Sequence, residues 1–382
     1  MTDRIARLPP AWGAGRGSAV IVRVVLVAGT RPELIKLYPL ALALHGADVP
    51  ALLVTTDQHH LAAMRDAFVD GLDWPCPVER LGVRAEGQLA VVAEVVARLP
   101  ERLRRGDLVV VEGDTSSVLA ASLVANALRL TLAHVEAGLR SFDDRMPEEH
   151  NRRIADHLAD ELFAPTAIDA AHLEHEACRG RVWVVGNTVL DAVRRALPGA
   201  PAAPYGRDYV LVTLHRQENV DDPGFLREVV GFFARTPSRC VWPLHPRTRD
   251  RLERAGLWDE LRAMGRLEIV EPLDYPTFLA ALRGARVVVT DSGGVQEEAT
   301  WPDIRRPTVV VRRSTERVAA LEAGFSVLAA ADAAELASRV ADTALFRPAA
   351  ESPFGDGHAA ERIVDALRPA LRGAAQEAVT RS

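Results

Sequence analysis

The sequence predicts an α/β protein made of two Rossmann-like, doubly wound domains that face each other across a cleft. Three observations support this fold class. Short, valine-rich apolar runs alternate with helical patterns, as in a parallel sheet buried on both faces. A segment rich in proline and glycine, residues 197–208, interrupts this alternation, and the same rhythm restarts after it. The length of 382 residues also suits two domains.

The apolar runs predict the strands, and helical segments such as 116–128 and 148–158 separate them. The runs of the first half are IVRVVLVAGT from Ile21, VPALLVTT from Val49, DLVVVEGD from Asp107, LTLAHVEA from Leu130, ELFAPT from Glu161 and RVWVVG from Arg181. Those of the second half are DYVLVTLH, RCVWPLH, RLEIVEP, ARVVVTDS and TVVVRR. We therefore expect a loose N-terminal extension at 1–20, domains at 21–197 and 208–357, and a C-terminal helix at 358–372 that packs across both domains.

Composition argues against several classes of protein. The net charge of −6 is unlike that of a general nucleic-acid binder, which shows a basic surplus. No apolar run reaches the roughly 18 residues that span a membrane, and the N-terminal residues lack the apolar stretch of a secretory signal. Cys76, Cys178 and Cys240 form no CxxC pair. We therefore expect a cytoplasmic protein without a disulfide framework or a zinc site.

Lysine is almost absent from the chain. Of the 46 basic residues only Lys36 is a lysine, and it follows the first glycine-containing turn. A compact ammonium group suits a phosphate or carboxylate partner where the planar fork of arginine does not fit. Lys36 is therefore a candidate site residue.

The turn after the first strand has the features of an anion site. In doubly wound sheets, ligands bind beyond the carboxyl ends of the strands. Thr30 with Glu33 fits a capping box, and Pro32 suits a first helical turn. These residues are explained by helix capping alone. Arg31 is not, because a cation at a helix N-terminus is unfavourable unless it binds an anion such as phosphate.

A similar turn follows a strand of the second half. Ser292, Gly293 and Gly294 end the run VVVT and precede a helix. Two glycines let the backbone approach a ligand closely, and free N–H groups there can bind a diphosphate, although a tight strand–helix turn needs the same residues. Glu298 lies just beyond, where a carboxylate can accept both hydroxyls of a ribose.

Acidic residues are expected near these two turns. Asp114 and Glu136 follow strands and have glycines beside them, where a buried carboxylate is costly unless it is paired or used. Glu148 opens a helix after Met146 and Pro147, a position that carboxylates also occupy for structural reasons. Several carboxylates in one cleft suit general acid–base catalysis on opposite faces of a substrate.

Two histidines end strands of the second half. His215 closes VLVTLH and His245 closes VWPLH. Each can bind phosphate or move a proton, and a single histidine in such a place is as often structural. No HExxH spacing occurs, so we expect no metal site.

Seven motifs together resemble the non-hydrolysing UDP-N-acetylglucosamine 2-epimerases. They run in order from about Gly29 to Gly324, nearly the whole chain apart from its ends. The motifs are GTRPELIK, EGDTSSVLAA, HVEAGLRSFDDRMPEEHNR, VVGNTVLDAV, LVTLHRQEN, TDSGGVQEEA and RRSTERVAALEAG.

The resemblance implies a GT-B-like fold, usually as a homodimer, and an isomerase without metal or cofactor. Its reaction interconverts UDP-GlcNAc and UDP-ManNAc, a step that feeds polysaccharide biosynthesis. The C2 proton and UDP leave to give a 2-acetamidoglucal, and both return with inverted configuration at C2. Cationic groups stabilise the departing diphosphate, and carboxylates act as base and acid.

The matching motifs also imply roles for single residues. Arg31, His215 and the Ser292-Gly293-Gly294 turn hold the diphosphate, and Glu298 binds the ribose. Base and acid are expected among the carboxylates around the sugar, without an assignment of which is which. Catalytic candidates are Asp114, Glu136, Glu148 and His215. Substrate-binding candidates are Arg31, Lys36, Arg140, His245, Ser292, Gly293, Gly294, Glu298 and Arg317.

The sequence departs from the family pattern in places. Glu112 precedes Gly-Asp-Thr where histidine or glutamine is more usual, and Asp57 stands where glycine is common. Gln58 and His59 match a second, regulatory UDP-GlcNAc site of bacterial relatives. These departures affect the choice of substrate and regulation more than the chemistry.

Four alternatives remain open. A hydrolysing 2-epimerase shares the motifs but releases free ManNAc and UDP. An epimerase of a modified UDP-sugar, such as a diacetamido uronic acid, also fits. A GT-B glycosyltransferase uses the same cleft with an acceptor. A nucleotide-sugar sensor without activity fits less well, because the three carboxylates are intact.

Overall fold

The computed structural model describes residues 21–56, 72–85, 87–202 and 204–380. The predicted N-terminal extension at 1–20 lies outside these residues. Within them the chain forms two sheets whose paired strands are all parallel. The first sheet has the order β3-β2-β1-β4-β5-β6-β7. Its strands are β1 (Arg23–Ala28), β2 (Ala51–Thr55), β3 (Val78–Arg80), β4 (Asp107–Glu112), β5 (Thr131–Val135), β6 (Glu161–Ala164) and β7 (Arg181–Val184).

The second sheet has the order β10-β9-β8-β11-β12-β13. Its strands are β8 (Val210–Thr213), β9 (Cys240–Pro243), β10 (Leu267–Val270), β11 (Val287–Thr290), β12 (Thr308–Val311) and β13 (Ser326–Ala329). In both sheets the strand order reverses direction next to the first strand, the arrangement of a doubly wound fold.

Helices connect the strands. Those between strands of the first sheet or directly after it are α1 (Arg31–Gly46), α2 (Gln88–Arg98), α3 (Ser116–Ala127), α4 (Pro147–Leu158), α5 (Ala167–His175) and α6 (Thr188–Ala196). The later ones are α7 (Gln217–Val220), α8 (Pro223–Arg235), α9 (Pro246–Arg254), α10 (Trp258–Arg262), α11 (Tyr275–Gly284), α12 (Gly293–Glu298), α13 (Val318–Glu322), α14 (Ala333–Ala341) and α15 (Ala359–Thr380). Short 3-10 turns occur at Leu99–Arg102, Leu197–Gly199 and Thr343–Leu345.

The central strands are apolar throughout because both of their faces are covered. In β4, Val109 and Val111 belong to one hydrophobic core, whereas Leu108 and Val110 belong to the core on the opposite face. Strand β11 has the same alternation in the second sheet, with Val288 on the face opposite to its neighbours. Successive side chains of a strand point to opposite faces, so two cores require a continuous apolar run.

The last helix returns to the first half of the molecule. Ile363 and Leu367 of α15 join the core that also contains Leu37 of α1. Asp191 of α6 accepts hydrogen bonds from the first two N–H groups of α15, at 3.1 Å and 2.8 Å. We expected a helix at 358–372 packed across both domains. The helix continues to Thr380, and its principal neighbours are α1 and α6.

The architecture confirms the predicted α/β class with two doubly wound parallel sheets. We retain domain boundaries at 21–197 and 208–357 as a proposal, because each range encloses the strands of one sheet. Within the part of the chain that the structure describes, every helix is too short or too polar to cross a membrane.

Candidate functional site

The first half contributes a buried cluster around its only lysine. Strands β1, β4 and β5 are neighbours in the sheet, so their carboxyl ends lie side by side. Lys36 of α1 is 7% exposed there. Its Nζ lies 2.9 Å from Oε1 of Glu112 and forms an ion pair with Glu136. Burial alone would lower the pKa of Lys36, but the two carboxylates raise it, so Lys36 stays an ammonium group.

Glu136 receives a second cation from the other half of the molecule. Its Oε1 is paired with Nη2 of Arg317, which lies 181 positions later in the chain. Burial favours the neutral acid, but Arg317 and Lys36 outweigh it and hold the pKa of Glu136 well below its usual range. Glu136 also has a φ of +69°, a left-handed conformation that is strained for a side chain with a Cβ. Such strain is typical of functional sites.

Arg317 is the centre of the cluster on the second-half side. It is 5% exposed, and it donates to Glu316 at 2.8 Å and to Glu297 at 3.0 Å. Burial and the charge of Glu136 raise the pKa of Glu297 to about 7, although Arg317 acts in the opposite direction. Nδ2 of Asn187 donates to Glu297 at 2.8 Å, so a residue of the first half supports this carboxyl group.

The two glycines after β11 differ in how much space surrounds them. A Cβ on Gly293 would come within 2.9 Å of both Cζ of Arg317 and Oε1 of Glu316. Gly294 has open space where a Cβ would stand. Gly293 therefore makes room for the arginine beside Glu136, a reason that the sequence did not reveal. Ser292 begins the turn, and its N–H is bonded to Thr290 at 3.0 Å.

Asp114 is paired with an arginine of the same half, and Glu148 lies on the helix that carries this arginine. Arg152 of α4 donates to the Asp114 carboxylate through Nε at 3.1 Å and through Nη2. Its Nη1 donates to Glu149 at 2.7 Å, and Glu149 also caps the N–H of Ser141. The side chain of Asp114 is 24% exposed, and Glu148 is half-buried in the first turn of α4. Both candidate carboxylates therefore remain accessible to a ligand.

Arg31 and Glu298 lie together at the junction of the two halves. Nη2 of Arg31 donates to the carbonyl oxygen of Leu273 at 3.3 Å. Burial raises the pKa of Glu298 to about 8, while the nearby Arg31 and the hydroxyl of Tyr275 favour the ionised form. Arg31 of the first turn and Glu298 of the second-half helix α12 are therefore neighbours in the structure.

The two histidines have different surroundings. His215 is half-exposed, and its main-chain N–H is bonded to Asp291 at 3.1 Å, with Nδ1 at 3.4 Å from the same carboxylate. A ring held in this way is available to a ligand. His245 caps α9, because its Nδ1 accepts the N–H of Arg247 at 3.3 Å. That contact explains His245 without a ligand.

Arg140 does not reach the cluster around Glu136. It is fully buried and pairs with Asp156 and Glu176, each at 2.7 Å. Asp156 in turn is bonded to His134 at 2.7 Å. Arg140 therefore supports the segment that follows Glu136. Each of its three guanidinium nitrogens already contacts a carboxylate, which leaves none of them for a substrate. The predicted regulatory residues Gln58 and His59 lie outside the described residues.

Several site residues were not predicted from the sequence. Glu112 is the last residue of the strand that Asp114 follows. The rule that ligands bind at the carboxyl ends of strands could therefore have identified Glu112 as well. Arg152, Glu297 and Glu316 belong to recognised motifs, but only the fold shows which charges they meet. Within the described ranges, one group of side chains has metal-ligand spacing: His157, Glu176 and Cys178. Both oxygens of Glu176 are already bonded to Arg140, so this group is poorly suited to a cation.

Known proteins resemble this chain over nearly all of its length. A family model described as UDP-N-acetylglucosamine 2-epimerase matches residues 43–368. The UDP-N-acetylglucosamine 2-epimerase of Methanocaldococcus jannaschii is 36% identical over 363 residues, which cover 91% of this chain and 99% of that protein. The UDP-2,3-diacetamido-2,3-dideoxy-D-glucuronate 2-epimerase of Pseudomonas aeruginosa is 34% identical over 366 residues, with 91% and 99% covered.

A solved structure agrees with these relatives. The crystal structure of the M. jannaschii UDP-GlcNAc 2-epimerase in complex with UDP-GlcNAc and UDP has a TM-score of 0.83 to this chain, at 36% identity, and covers 91% of this chain and 99% of its own. The family recognised from the seven motifs is confirmed, and so is the GT-B-like fold that it implied. The chain belongs to the UDP-N-acetylglucosamine 2-epimerase family.

Proposed function

We propose that the protein inverts C2 of a UDP-N-acetylhexosamine and converts UDP-GlcNAc into UDP-ManNAc. The observation that carries this proposal is the buried contact of Glu136 with Lys36 and Arg317, which joins the carboxyl ends of both sheets. A site that combines ionised carboxylates with cations from both halves can take a proton from carbon while it stabilises a departing diphosphate.

The nucleotide part of the substrate binds at the junction of the halves. Arg31, His215 and the Ser292-Gly293-Gly294 turn hold the diphosphate, and Glu298 accepts the ribose hydroxyls. Support comes from the positions of these groups, since Arg31 and Glu298 are neighbours and His215 is exposed toward solvent. Without a ligand, Arg317 faces three carboxylates. A bound diphosphate brings its negative charge to Arg31 and to Arg317.

We assign the proton transfers at C2 to the carboxylates that are more accessible than Glu136. Removal of the C2 proton and departure of UDP give a 2-acetamidoglucal, and both return on the other face. Glu136 is a weak base because two cations stabilise its ionised form, so we assign it the electrostatic role beside the reacting carbons. Asp114 and Glu148 are then the two groups that exchange protons with C2, one on each face of the sugar.

We also propose that the protein is a cytoplasmic homodimer that serves polysaccharide biosynthesis. The resemblance to the family and the absence of CxxC pairs support this setting. A second candidate substrate is a UDP-2,3-diacetamido uronic acid, because the P. aeruginosa relative is named for that sugar. Static light scattering of the purified chain tests the dimer by its mass.

Product analysis separates the candidate functions. The protein is incubated with UDP-GlcNAc, and the nucleotides are resolved by anion-exchange chromatography. We expect UDP-ManNAc to appear until equilibrium while the sum of the UDP-sugars stays constant. Free ManNAc with UDP would identify a hydrolysing 2-epimerase. Turnover of only the diacetamido uronic acid would identify that substrate, and no reaction of either sugar would overturn the proposal.

A further inference from the structure

Glu112 points into the same buried cluster as Glu136. It is the last residue of β4, is 1% exposed, and pairs in register with Val135, the residue before Glu136. Its Oε1 lies 2.9 Å from Nζ of Lys36, and the same ammonium group is paired with Glu136. Because both carboxyl groups contact the same nitrogen atom, they lie next to each other in the cluster. One ammonium group is therefore shared by two carboxyl groups.

The charges of this cluster do not balance if every acid is ionised. The groups that face Glu112 are Lys36 and Glu33 of α1, Glu136 after β5, and, beyond Lys36 and Glu136, Arg317 and Glu297 from the second half. Four acids then stand against two cations, and Glu316, which also contacts Arg317, has Arg312 as a further cation of its own. A buried charge without a partner is costly, and the usual remedy is that an acid keeps its proton.

Of the two strand-end acids, Glu112 is the better place for that proton. Glu136 has both Lys36 and Arg317, whereas Glu112 has Lys36 alone among its ion pairs in the described part of the chain. Burial, together with the charge of Glu136, raises the pKa of Glu112 well above its usual value despite Lys36. The cations lower the pKa of Glu136, so in a hydrogen bond between the two groups Glu112 is the donor and the Glu136 carboxylate the acceptor.

We propose that Glu112 is a positioning residue that, in the unliganded enzyme, carries a proton and donates it as a hydrogen bond to the Glu136 carboxylate. This inference rests on the role of Glu136 in the proposed epimerase reaction. The hydrogen bond keeps Glu136 ionised and fixes the direction of its oxygens, while Lys36 and Arg317 hold it from other sides. It also spares the cluster one negative charge, which favours entry of the anionic diphosphate.

The first experiment needs no catalysis. Infrared difference spectra of the whole protein, recorded between pH 6 and pH 9, follow the carbonyl stretch of protonated carboxyl groups. We expect a component of this band in the wild type above pH 7 that is missing from Glu112→Gln, while the components of Glu297 and Glu298, whose pKa values are about 7 and about 8, remain in both proteins. Glu79→Gln, a half-exposed residue of β3, is the matched control and should keep the band. An identical band in the wild type and Glu112→Gln would show that Glu112 is ionised and would overturn the proposal.

The second experiment measures the effect on Glu136. Glu112→Met removes the donor at nearly the same length, and we expect kcat for UDP-sugar epimerisation to fall about 10- to 100-fold. Glu112→Gln restores an N–H donor and should recover most of that loss. We expect the wild type to lose activity at high pH, when Glu112 ionises beside Glu136, and this basic limb should move to higher pH in Glu112→Gln.

The outcomes of the second experiment are distinct. Full activity in Glu112→Met, or a Glu112→Gln protein as inactive as Glu112→Met, would overturn the positioning role. Circular dichroism and the melting temperature of each variant show whether a loss reflects unfolding. If the wild type converts no UDP-sugar, the proposed function fails, and the infrared comparison still tests the protonation of Glu112.

Discussion

Glu136 combines three features at the scale of a single residue. Its backbone is held in the left-handed region, its carboxylate is buried, and cations from both halves surround it. Each feature costs free energy on its own, and the neighbouring groups must compensate for it. A carboxylate kept in this state at the junction of two sheets is suited to stabilising positive charge that develops on a substrate.

Replacing Glu136 by glutamine tests this role. The amide removes the negative charge that Lys36 and Arg317 share at the site, so we expect kcat for epimerisation to fall at least about 100-fold. Glu174→Gln, on the exposed face of α5, is the matched control and should keep wild-type activity. Initial rates with UDP-GlcNAc measure both. Full activity of Glu136→Gln would remove Glu136 from the mechanism.

The acidity of Glu298 predicts how substrate binding depends on pH. Its pKa is raised to about 8 by burial, so it is largely protonated in the free protein below that pH. If the ribose hydroxyls donate to the ionised form, binding releases a proton. Affinity for UDP-GlcNAc should then rise by up to about tenfold per pH unit below pH 8 and level off above it.

Calorimetric titrations from pH 6 to pH 9 measure this effect, because the diphosphate of UDP-GlcNAc does not titrate in that range. Residue 298 cannot ionise in Glu298→Gln, so the rise in affinity between pH 6 and pH 8 should be clearly smaller in this variant than in the wild type. A wild-type affinity that is flat with pH would exclude Glu298 as a group that ionises on binding.

At the scale of elements, the sequence predicted the positions of strands better than the side-chain contacts between distant elements. Every apolar run quoted from the sequence contains or adjoins a strand, because burial on both faces leaves a continuous signal. The pairing of Arg317 with Glu136 spans 181 positions and has no local pattern. Arg140 was expected to bind substrate from its motif, but only the position of Asp156 and Glu176 reveals its supporting role.

The C-terminal helix gives a prediction at this scale. Asp191 of α6 accepts hydrogen bonds from two N–H groups at the start of α15. Asp191→Ala should lower the free energy of unfolding by about 1 kcal/mol. The melting temperature should fall by about 2–4 °C. Arg195→Ala, an exposed change in the same helix, should have little effect. Equal melting temperatures for both variants would show that α15 does not depend on this cap.

At the scale of the whole molecule, the site exists only where the two halves meet. The first half supplies Lys36, Asp114, Glu136 and Glu148, and the second supplies Arg317 with the turn at Ser292. Contacts of Glu136 with Arg317 and of Asn187 with Glu297 cross between them. The chemistry therefore depends on the relative placement of the two sheets, because Glu136 and Lys36 of the first half need Arg317 of the second half beside them.

Exchange of the C2 hydrogen tests the central claim most directly. The protein is incubated with UDP-GlcNAc in deuterated water, and proton NMR follows the C2 position of the UDP-sugars. Elimination and re-addition predict that deuterium enters C2 of both UDP-GlcNAc and UDP-ManNAc while the sugars remain attached to UDP. Appearance of UDP-ManNAc without deuterium at C2, or no exchange and no new sugar, would contradict the account.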